Sequence, residues 1–280
     1  AGRARAAAET RNGLATRVLG RTGRRVTVLG LGTAPAGEGP PDVKEVTRIF
    51  GAALDEGVNY VDTARIYGNA EEALGNLVPR RRDDLFLVTK VSTDSGAKAA
   101  KSLARSLQLL KTDHLDLVHI HSVGSKNIKR VLAKDGVLNY LLKEKEKGTL
   151  KHIGVSGHNR PSRFLEILKT GQIDVVMCVM NYADVNTYGF EKRVLPECRR
   201  QNLGVVAMKV YCGITGGFRN HKKGHVGCAT EDALLPQACS YALDLPGVTT
   251  AVIGPYTVEQ AVTNVEIARN YTPLTDRQRA

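Results

Sequence analysis

The sequence contains no tryptophan, few aromatic residues and no pair of cysteines in a C-x-x-C arrangement. Its five cysteines are an odd number without ligand-like spacing, which argues against a disulfide framework and against a zinc ribbon. No apolar run approaches the ~18 residues that a membrane-spanning helix needs, which excludes a spanning protein. Hydrophobic residues make up 42% of the chain and charged residues 24%, a composition that predicts a folded globular protein.

Basic charge is concentrated at the N-terminus. The net charge is +12, and residues 1–25 contain seven arginines and one acid, Glu9, which accounts for half of it. The rest of the chain is mildly basic and has no basic helix interleaved with aromatic residues, so we expect no nucleic-acid partner. We interpret residues 1–15 as a basic flexible tail and residues 16–280 as a single domain.

Two features bear on the compartment. No apolar segment precedes the small-residue cluster Ala6-Ala7-Ala8, so we expect no signal peptide in this chain. The unpaired cysteines fit a reducing environment. A cytoplasmic location is therefore the default expectation, and export remains open if a signal peptide was removed before Ala1.

Strand-like and helix-like segments alternate along the chain. Runs rich in Val, Ile and Leu occur at 26–31, 58–62, 85–90, 115–121, 151–155, 174–180, 204–210 and 248–253. Helix-like stretches lie between them at 43–56, 70–78, 97–110, 137–147, 161–168, 190–201, 232–243 and 258–270. Eight such units predict a (β/α)8 TIM barrel. An open doubly wound sheet is the alternative, but Gly30 to Pro35 lacks the third glycine of its G-x-G-x-x-G motif. Two short runs, 16–20 and 24–29, predict a preceding hairpin.

Ionisable residues stand where three consecutive predicted strands end. Strand two ends at Asp62, with Tyr67 five residues on; strand three ends at Lys90 and strand four at His121. The carboxyl ends of barrel strands carry the active site. Charges at such positions are costly unless they pair, so the set is either a structural ion-pair cluster or a catalytic constellation.

The chemistry available to this set is acid catalysis. Tyrosine has an ordinary pKa near 10, and a neighbouring ammonium such as Lys90 is expected to lower it. Asp62 would keep the lysine charged, and His121 could orient a substrate oxygen. No metal-ligand spacing converges on these positions and no activated Ser or Cys nucleophile is evident. Proton donation coupled to hydride transfer from a cofactor is the simplest reaction that remains.

Several segments resemble the aldo-keto reductase family. Tyr60 to Glu72 is similar to the family's Asp/Tyr segment, and Leu87 to Lys90 is similar to its third strand with the lysine. Leu115 to His121 is similar to the fourth strand with its histidine. Ile153 to Ser156 and Asn181-Tyr182 match later parts of the pattern. The resemblance extends from about Thr16 to Tyr271.

This resemblance implies a barrel whose bottom is closed by the N-terminal hairpin, with catalytic residues Asp62, Tyr67, Lys90 and His121. Tyr67 would protonate a small-molecule carbonyl substrate, and the cofactor would be NADP(H), with NAD(H) also possible. His119 is interpreted as a packed, hydrogen-bonded core histidine. The alternative function is a non-catalytic NAD(P)H-binding regulatory subunit on the same barrel. The oligomeric state and the physiological substrate stay open.

The resemblance also implies a set of cofactor-binding residues and three departures from the family. The predicted contacts are Gly32, Thr33, Asp62, Ser156, Asn181, Lys209, Gly254, Thr257, Gln260 and Asn264. Gly157, Met177 and Met208 replace an Asn, a Gln and a stacking aromatic that the family commonly has. Gly254 and Gln260 stand where many members place a cation for the 2′-phosphate of NADP, which weakens the expectation of NADPH specificity.

One histidine-containing loop suggests a metal. His221, His225 and Cys228 follow strand seven at ligand-like spacing. Because Gly224 and Gly227 favour a loop and no fourth ligand is obvious, we predict no metal. We expect this loop to fold over the cofactor or the substrate.

Overall fold

The computed structural model describes residues 9–213 and 227–279. Eight parallel strands form a closed barrel in the order β10-β11-β4-β5-β6-β7-β8-β9, which confirms the predicted (β/α)8 barrel. The strands of the chain are β1 Thr10–Arg11, β2 Leu14–Val18, β3 Arg25–Thr27, β4 Leu29–Gly32, β5 Tyr60–Asp62, β6 Phe86–Val91, β7 Leu115–Ile120, β8 Leu150–Gly157, β9 Val175–Val179, β10 Gly204–Met208 and β11 Val248–Ile253.

The barrel strands are apolar because both of their faces are covered. Every residue of β6, β7, β10 and β11 is buried, as expected for parallel strands with helices outside and packed side chains inside. The first barrel strand, β4, pairs with both β5 and β11. This pairing closes the sheet and removes its edges.

Helices follow the strands around the barrel. Their bounds are α1 Ala34–Glu38, α2 Val43–Asp55, α3 Ala70–Leu74, α4 Gly96–Leu110, α5 Ile128–Val131, α6 Val137–Glu146, α7 Pro161–Leu168, α8 Phe190–Arg193, α9 Leu195–Arg200, α10 Leu235–Asp244, α11 Val258–Arg269 and α12 Asp276–Arg279. Asp42, Ser95 and Thr257 cap α2, α4 and α11 by accepting a bond from the third residue of each helix. No helix of the described residues is both long and apolar enough to cross a membrane.

The N-terminal hairpin closes the lower end of the barrel. Strands β2 and β3 pair antiparallel around a turn at Gly20–Thr22. The backbone N–H of Arg21 donates to the carbonyl of Asn202, just before β10. A Cβ on Gly20 would lie 2.2 Å from the backbone nitrogen of Gly204. The turn therefore lies directly against the amino end of β10, and the predicted hairpin is confirmed.

The ordered chain begins before the predicted start of the domain. Thr10–Arg11 pairs with Leu14 and Ala15, and the side chain of Leu14 is fully buried. The prediction of a flexible tail up to residue 15 is therefore wrong for residues 10–15, because this apolar contact and the strand pairing fix them. Residues 1–8 lie outside the described residues. The predicted strand at 26–31 is divided at Val28 into β3 of the hairpin and β4 of the barrel.

Candidate active site

The structure brings Asp62, Lys90 and His121 together at the upper, carboxyl end of the barrel. Asp62 ends β5, Lys90 lies near the end of β6 and His121 follows β7. All three side chains are at most 5% exposed. The Nζ of Lys90 donates to Oδ1 of Asp62 and, over 3.0 Å, to the carbonyl of Thr63. The buried charges are therefore paired, as their cost requires.

Tyr67 lies against this pair on the loop between β5 and α3. The Nζ of Lys90 is 4.6 Å from the centre of the Tyr67 ring. The ring of His121 packs edge-on against the same ring, with 5.9 Å between the centroids. Tyr67 is half-buried, so a ligand in the cleft above the barrel can reach it.

Burial dominates the protonation of Tyr67. Burial raises the pKa of the phenol because it penalises the phenolate, whereas the charge of Lys90 lowers it, and the net pKa lies above the ordinary value. The predicted direction of the lysine effect is correct, but the predicted net lowering is wrong. Burial also raises the pKa of Asp62 against the opposing charge of Lys90. Burial has the largest single effect on Lys90 and lowers its pKa, but the charges of Asp62 and Tyr67 and the hydrogen bonds to both together outweigh burial and leave this pKa raised.

A second buried carboxylate anchors the loop that carries Tyr67. Glu71 is 1% exposed; one of its oxygens accepts a 2.7 Å bond from Oγ1 of Thr89 and the other pairs with Arg65. Arg65 and Glu71 flank Tyr67 in sequence, and Thr89 precedes Lys90 on β6. This clamp therefore ties the tyrosine loop to the lysine strand. Sequence reasoning missed it, although a glutamate within the apolar start of α3 was a visible signal.

A cleft of about 680 Å³ opens above the tetrad formed by Asp62, Tyr67, Lys90 and His121. Its volume lies in the range of pockets for cofactor-sized ligands. Asp62 and Tyr67 form part of its wall, together with Met177 and Met208. Of the predicted cofactor residues, those that line this cleft are Gly32, Thr33, Asp62, Lys209, Gly254, Gln260 and Asn264.

Two glycines allow the first and last barrel strands to approach at the floor of the cleft. A Cβ on Gly254 would lie 2.4 Å from Cδ of Pro35, and one on Gly32 would lie 3.0 Å from Cγ1 of Val252. Thr33 is fully buried and its hydroxyl donates over 2.9 Å to the carbonyl of Asp62. Its side chain therefore fixes the end of β5 relative to β4.

Three predicted cofactor residues are not part of the cleft wall. Thr257 caps α11 by accepting a bond from the backbone N–H of Gln260. Ser156 is buried, and its hydroxyl has no hydrogen-bond partner among the described residues. Asn181 donates to Asp184 and to the carbonyl of Lys209, and its oxygen accepts two backbone N–H groups. This amide has no hydrogen-bonding position left for a ligand.

Among the described residues that line the cleft, Lys209 is the only lysine or arginine. Its backbone is left-handed, with φ of 59°, and its side chain is exposed to the cleft. The surrounding cleft wall partly desolvates the ammonium and lowers the pKa of Lys209, while the charge of Glu38 acts in the opposite direction. Arg65 is bound to Glu71, and Arg269 is bound to Glu56, just after α2, and to Glu266 of α11.

Two histidine predictions have different outcomes. His119 is fully buried, as expected, but neither ring nitrogen has a hydrogen-bond partner among the described residues. Within residues 9–213 and 227–279, the prediction that His119 is hydrogen-bonded is therefore wrong. His221 and His225 lie outside the described residues, whereas Cys228 lines the cleft. The described residues contain no group of three metal-ligating side chains.

Two buried histidines, His119 of β7 and His121 just after it, make the fold sensitive to acid. Burial and the charge of Lys90 hold the pKa of His119 well below its ordinary value and lower that of His121 to about 2. The unfolded chain takes up these protons near pH 6.5, so stability is complete above that pH and is lost as the pH falls. We expect each histidine to cost ~1.4 kcal/mol of unfolding free energy per pH unit below 6.

Urea unfolding between pH 7.5 and 5 measures this slope. His121→Gln should remove about a third of it, because glutamine does not titrate and the pKa of His158 is also lowered, to about 4, so that three histidines contribute. The control is His114→Gln, which changes a half-buried histidine outside the barrel interior. Equal slopes in the native protein and in His121→Gln would refute the assignment.

Comparison with known proteins places this site in a family. The model of the aldo/keto reductase family matches residues 28–237. Uncharacterized oxidoreductase YqkF of Bacillus subtilis (strain 168) is 25% identical, over 94% of this chain and 93% of its own length. An aldo-keto reductase of Bacillus halodurans superposes with a TM-score of 0.77 at 24% identity, covering 95% of this chain and 94% of that one. An aldo/keto reductase of Klebsiella pneumoniae, solved with NADP and acetate, superposes with a TM-score of 0.73 at 22% identity, covering 94% of this chain and 92% of that one.

The fold and the cleft define a barrel oxidoreductase with a buried Asp–Lys pair beneath a tyrosine and a histidine. The family model covers three quarters of the sequence, and the chain belongs to the aldo/keto reductase family. It is accordingly an NAD(P)H-dependent oxidoreductase, as the resemblance implied.

Proposed function

We propose that the protein reduces the carbonyl group of a small aldehyde or ketone and that Tyr67 donates the proton. The observation that carries the proposal is the packing of Tyr67 between Lys90 and His121 at the wall of the cleft. The raised pKa of Tyr67 keeps the phenol protonated at neutral pH, as a donor must be. When the proton leaves, the ammonium of Lys90 stabilises the phenolate.

The neighbouring side chains have separate roles in this proposal. Asp62 holds Lys90 charged and in place through the buried ion pair. His121, whose pKa of about 2 keeps it neutral, can donate a hydrogen bond that orients the substrate oxygen. The clamp formed by Arg65, Glu71 and Thr89 holds the tyrosine loop against this pair.

The cleft fits a dinucleotide in volume and in wall chemistry. Gly32 and Gly254 line it where the first and last barrel strands approach closely, and Gln260, Asn264 and Lys209 offer polar groups along its wall. We propose NADP(H) as the cofactor, with these residues as its contacts; the Klebsiella relative, which holds NADP, supports the choice. When bound, the reduced nicotinamide supplies the hydride for the carbonyl carbon.

The test is the loss of reduced-nicotinamide absorbance in the presence of a panel of aldehydes and ketones. We expect turnover with at least one of them. The alternative function, a non-catalytic cofactor-binding subunit, predicts cofactor binding without turnover across the panel. The assembled buried pair beside Tyr67 favours the enzyme, because a binding module has no need of a tuned proton donor.

Discrimination between NADPH and NADH should be shallow. Gly254 carries no charge, and Oε1 of Gln260 already accepts a 2.8 Å bond from the backbone N–H of Tyr256. Neither of these two residues can therefore supply a cation for a charge-assisted bond to the 2′-phosphate, which is worth ~1.5–3 kcal/mol, and Lys209 is the only lysine or arginine that lines the cleft within residues 9–213 and 227–279. We expect a ratio of dissociation constants of about ten or less.

Fluorescence titration with both nucleotides measures this ratio. Lys209→Ala should weaken both to a similar degree if the lysine contacts a part that they share. Arg269→Ala, which changes an arginine already bound to Glu56 and Glu266, is the control. A preference for NADPH above about a hundred-fold would contradict this interpretation of the eighth barrel strand.

A further inference from the structure

His119 is built into the centre of the barrel, in register with Lys90 of β6 and Gly154 of β8. Its side chain is fully buried. A Cβ on Gly154 would lie 2.3 Å from Nδ1 of the imidazole. The imidazole therefore occupies the space that any other residue at position 154 would fill, and the pairing of histidine with glycine creates a polar position inside the barrel.

The imidazole has unmet hydrogen-bonding capacity. Neither ring nitrogen has a partner among the described residues, although a neutral imidazole carries one donor and one acceptor. Burial, Lys90 and His121 lower its pKa, so the ring is neutral at physiological pH. Since an unpaired buried polar group is destabilising, an internal water molecule is the partner that this chemistry calls for.

Three other buried polar atoms, two on β5 and one on β8, share this condition. They are Oδ2 of Asp62, the hydroxyl of Tyr60 and Oγ of Ser156. Alternate residues of a strand face the same side, so Tyr60 faces the interior with Asp62, and Ser156 does so with Gly154. The carboxylate oxygen accepts, and the hydroxyls both donate and accept. Together with the imidazole they form a set that water can satisfy.

We propose that the barrel interior binds ordered water between His119 and the second carboxylate oxygen of Asp62, which makes His119 a positioning residue for the Asp62–Lys90 pair. The water accepts from or donates to the imidazole and donates to Oδ2 of Asp62. This bond stabilises the ionised carboxylate, which keeps the ammonium of Lys90 charged beside Tyr67. The inference rests on the proposed function in one respect, which is that the Asp62–Lys90 pair supports Tyr67 as the proton donor.

The pH dependence of turnover reports on this arrangement. The titratable groups that face the interior around His119 are Lys90 on β6, His121 just after β7, Asp62 and Tyr60 on β5, and His152 one residue pair below Gly154 on β8. Of these, Asp62 is the group that a bond from water would stabilise in its charged form. Removing that bond raises the pKa of the carboxyl, so the acidic limb of the kcat profile moves to higher pH.

The experiment compares His119→Leu with His119→Gln in the full-length enzyme. We expect His119→Leu to move the acidic limb of kcat upward by about one pH unit, with the KM of the carbonyl changed by less than about two-fold. His119→Gln, which keeps a donor and an acceptor, should restore most of the native profile. Leu117→Val, at the inward apolar position two residues below, is the matched control and should leave the profile unchanged.

A crystal structure of the native enzyme that shows ordered solvent provides the second measurement. Water within hydrogen-bond distance of both His119 and Oδ2 of Asp62 is the expected result. The absence of water at this position overturns the proposal, and so does a native pH profile in His119→Leu. If that variant does not fold, the crystal structure decides. Failure of the proposed function is distinct, because Tyr67→Phe would then keep its reductase activity whatever the state of the water.

Discussion

Tyr67→Phe should lower kcat for carbonyl reduction by about 10²–10⁴-fold, the usual contribution of a positioned acid. The change removes one oxygen and leaves the ring that packs against Lys90 and His121. Cofactor affinity should stay within about two-fold, because the loss affects the chemical step rather than binding. Steady-state kinetics and nucleotide titration measure the two effects separately.

Tyr271→Phe is the matched control for this prediction. This change also removes one phenolic hydroxyl. In the native protein that hydroxyl donates to Asp244, and both residues are well separated in sequence from the tetrad. Its activity should equal that of the native protein. If Tyr67→Phe instead retained more than about a tenth of the native kcat, Tyr67 would not be the proton donor.

Lys90→Met should destabilise the fold by roughly 3–5 kcal/mol, the typical cost of removing one partner from a buried ion pair. Asp62 would remain buried at 2% exposure, without the ammonium that now neutralises it. That is a large share of a stability of ~5–15 kcal/mol. Turnover should also fall, because the phenolate of Tyr67 loses its neighbouring charge. Urea unfolding and kcat give the two readouts.

Two further variants test whether the loss of stability comes from breaking the buried Asp62–Lys90 pair or from removing any cation of the protein. Arg48→Met breaks an ion pair with Glu45 on the surface of α2, where the arginine side chain is 66% exposed. Its cost should be small beside that of Lys90→Met, because solvent screens a surface ion pair. The double change Asp62→Asn with Lys90→Met removes both charges and should recover part of the lost stability. A single Lys90→Met variant as stable as the native protein would show that Asp62 needs no cation.

The positions of the tetrad could be predicted because they follow from topology. The carboxyl ends of parallel strands meet at one end of a barrel, so apolar runs that end in Asp62, Lys90 and His121 must bring these residues together. The net pKa of Tyr67 could not be predicted in the same way. It depends on how deeply the phenol is buried, which the pairing of strands does not reveal.

Side chains that bond to their own loop were harder to assign. Asn181 follows a strand, as a ligand-binding residue would, but its amide is used by Asp184, by two backbone N–H groups and by the carbonyl of Lys209. Glu71 lies four residues after Tyr67, and only the fold shows that it reaches Thr89 on β6. The hydrogen bonds of these two side chains depend on the conformation of the folded backbone, which residue type and spacing leave undetermined.

The pairing of β4 with β11 has a consequence for how the protein is made. The two strands are among the first and the last to leave the ribosome, yet Gly32 and Gly254 of the cleft floor meet only when they pair. Contacts between such distant segments form slowly, because a long intervening chain must first be ordered. A nascent chain that lacks its final strand therefore exposes two sheet edges and has no complete cleft. Synthesis must reach β11 before the newborn chain can hold a nucleotide, and until then those open edges are where it is most prone to aggregate.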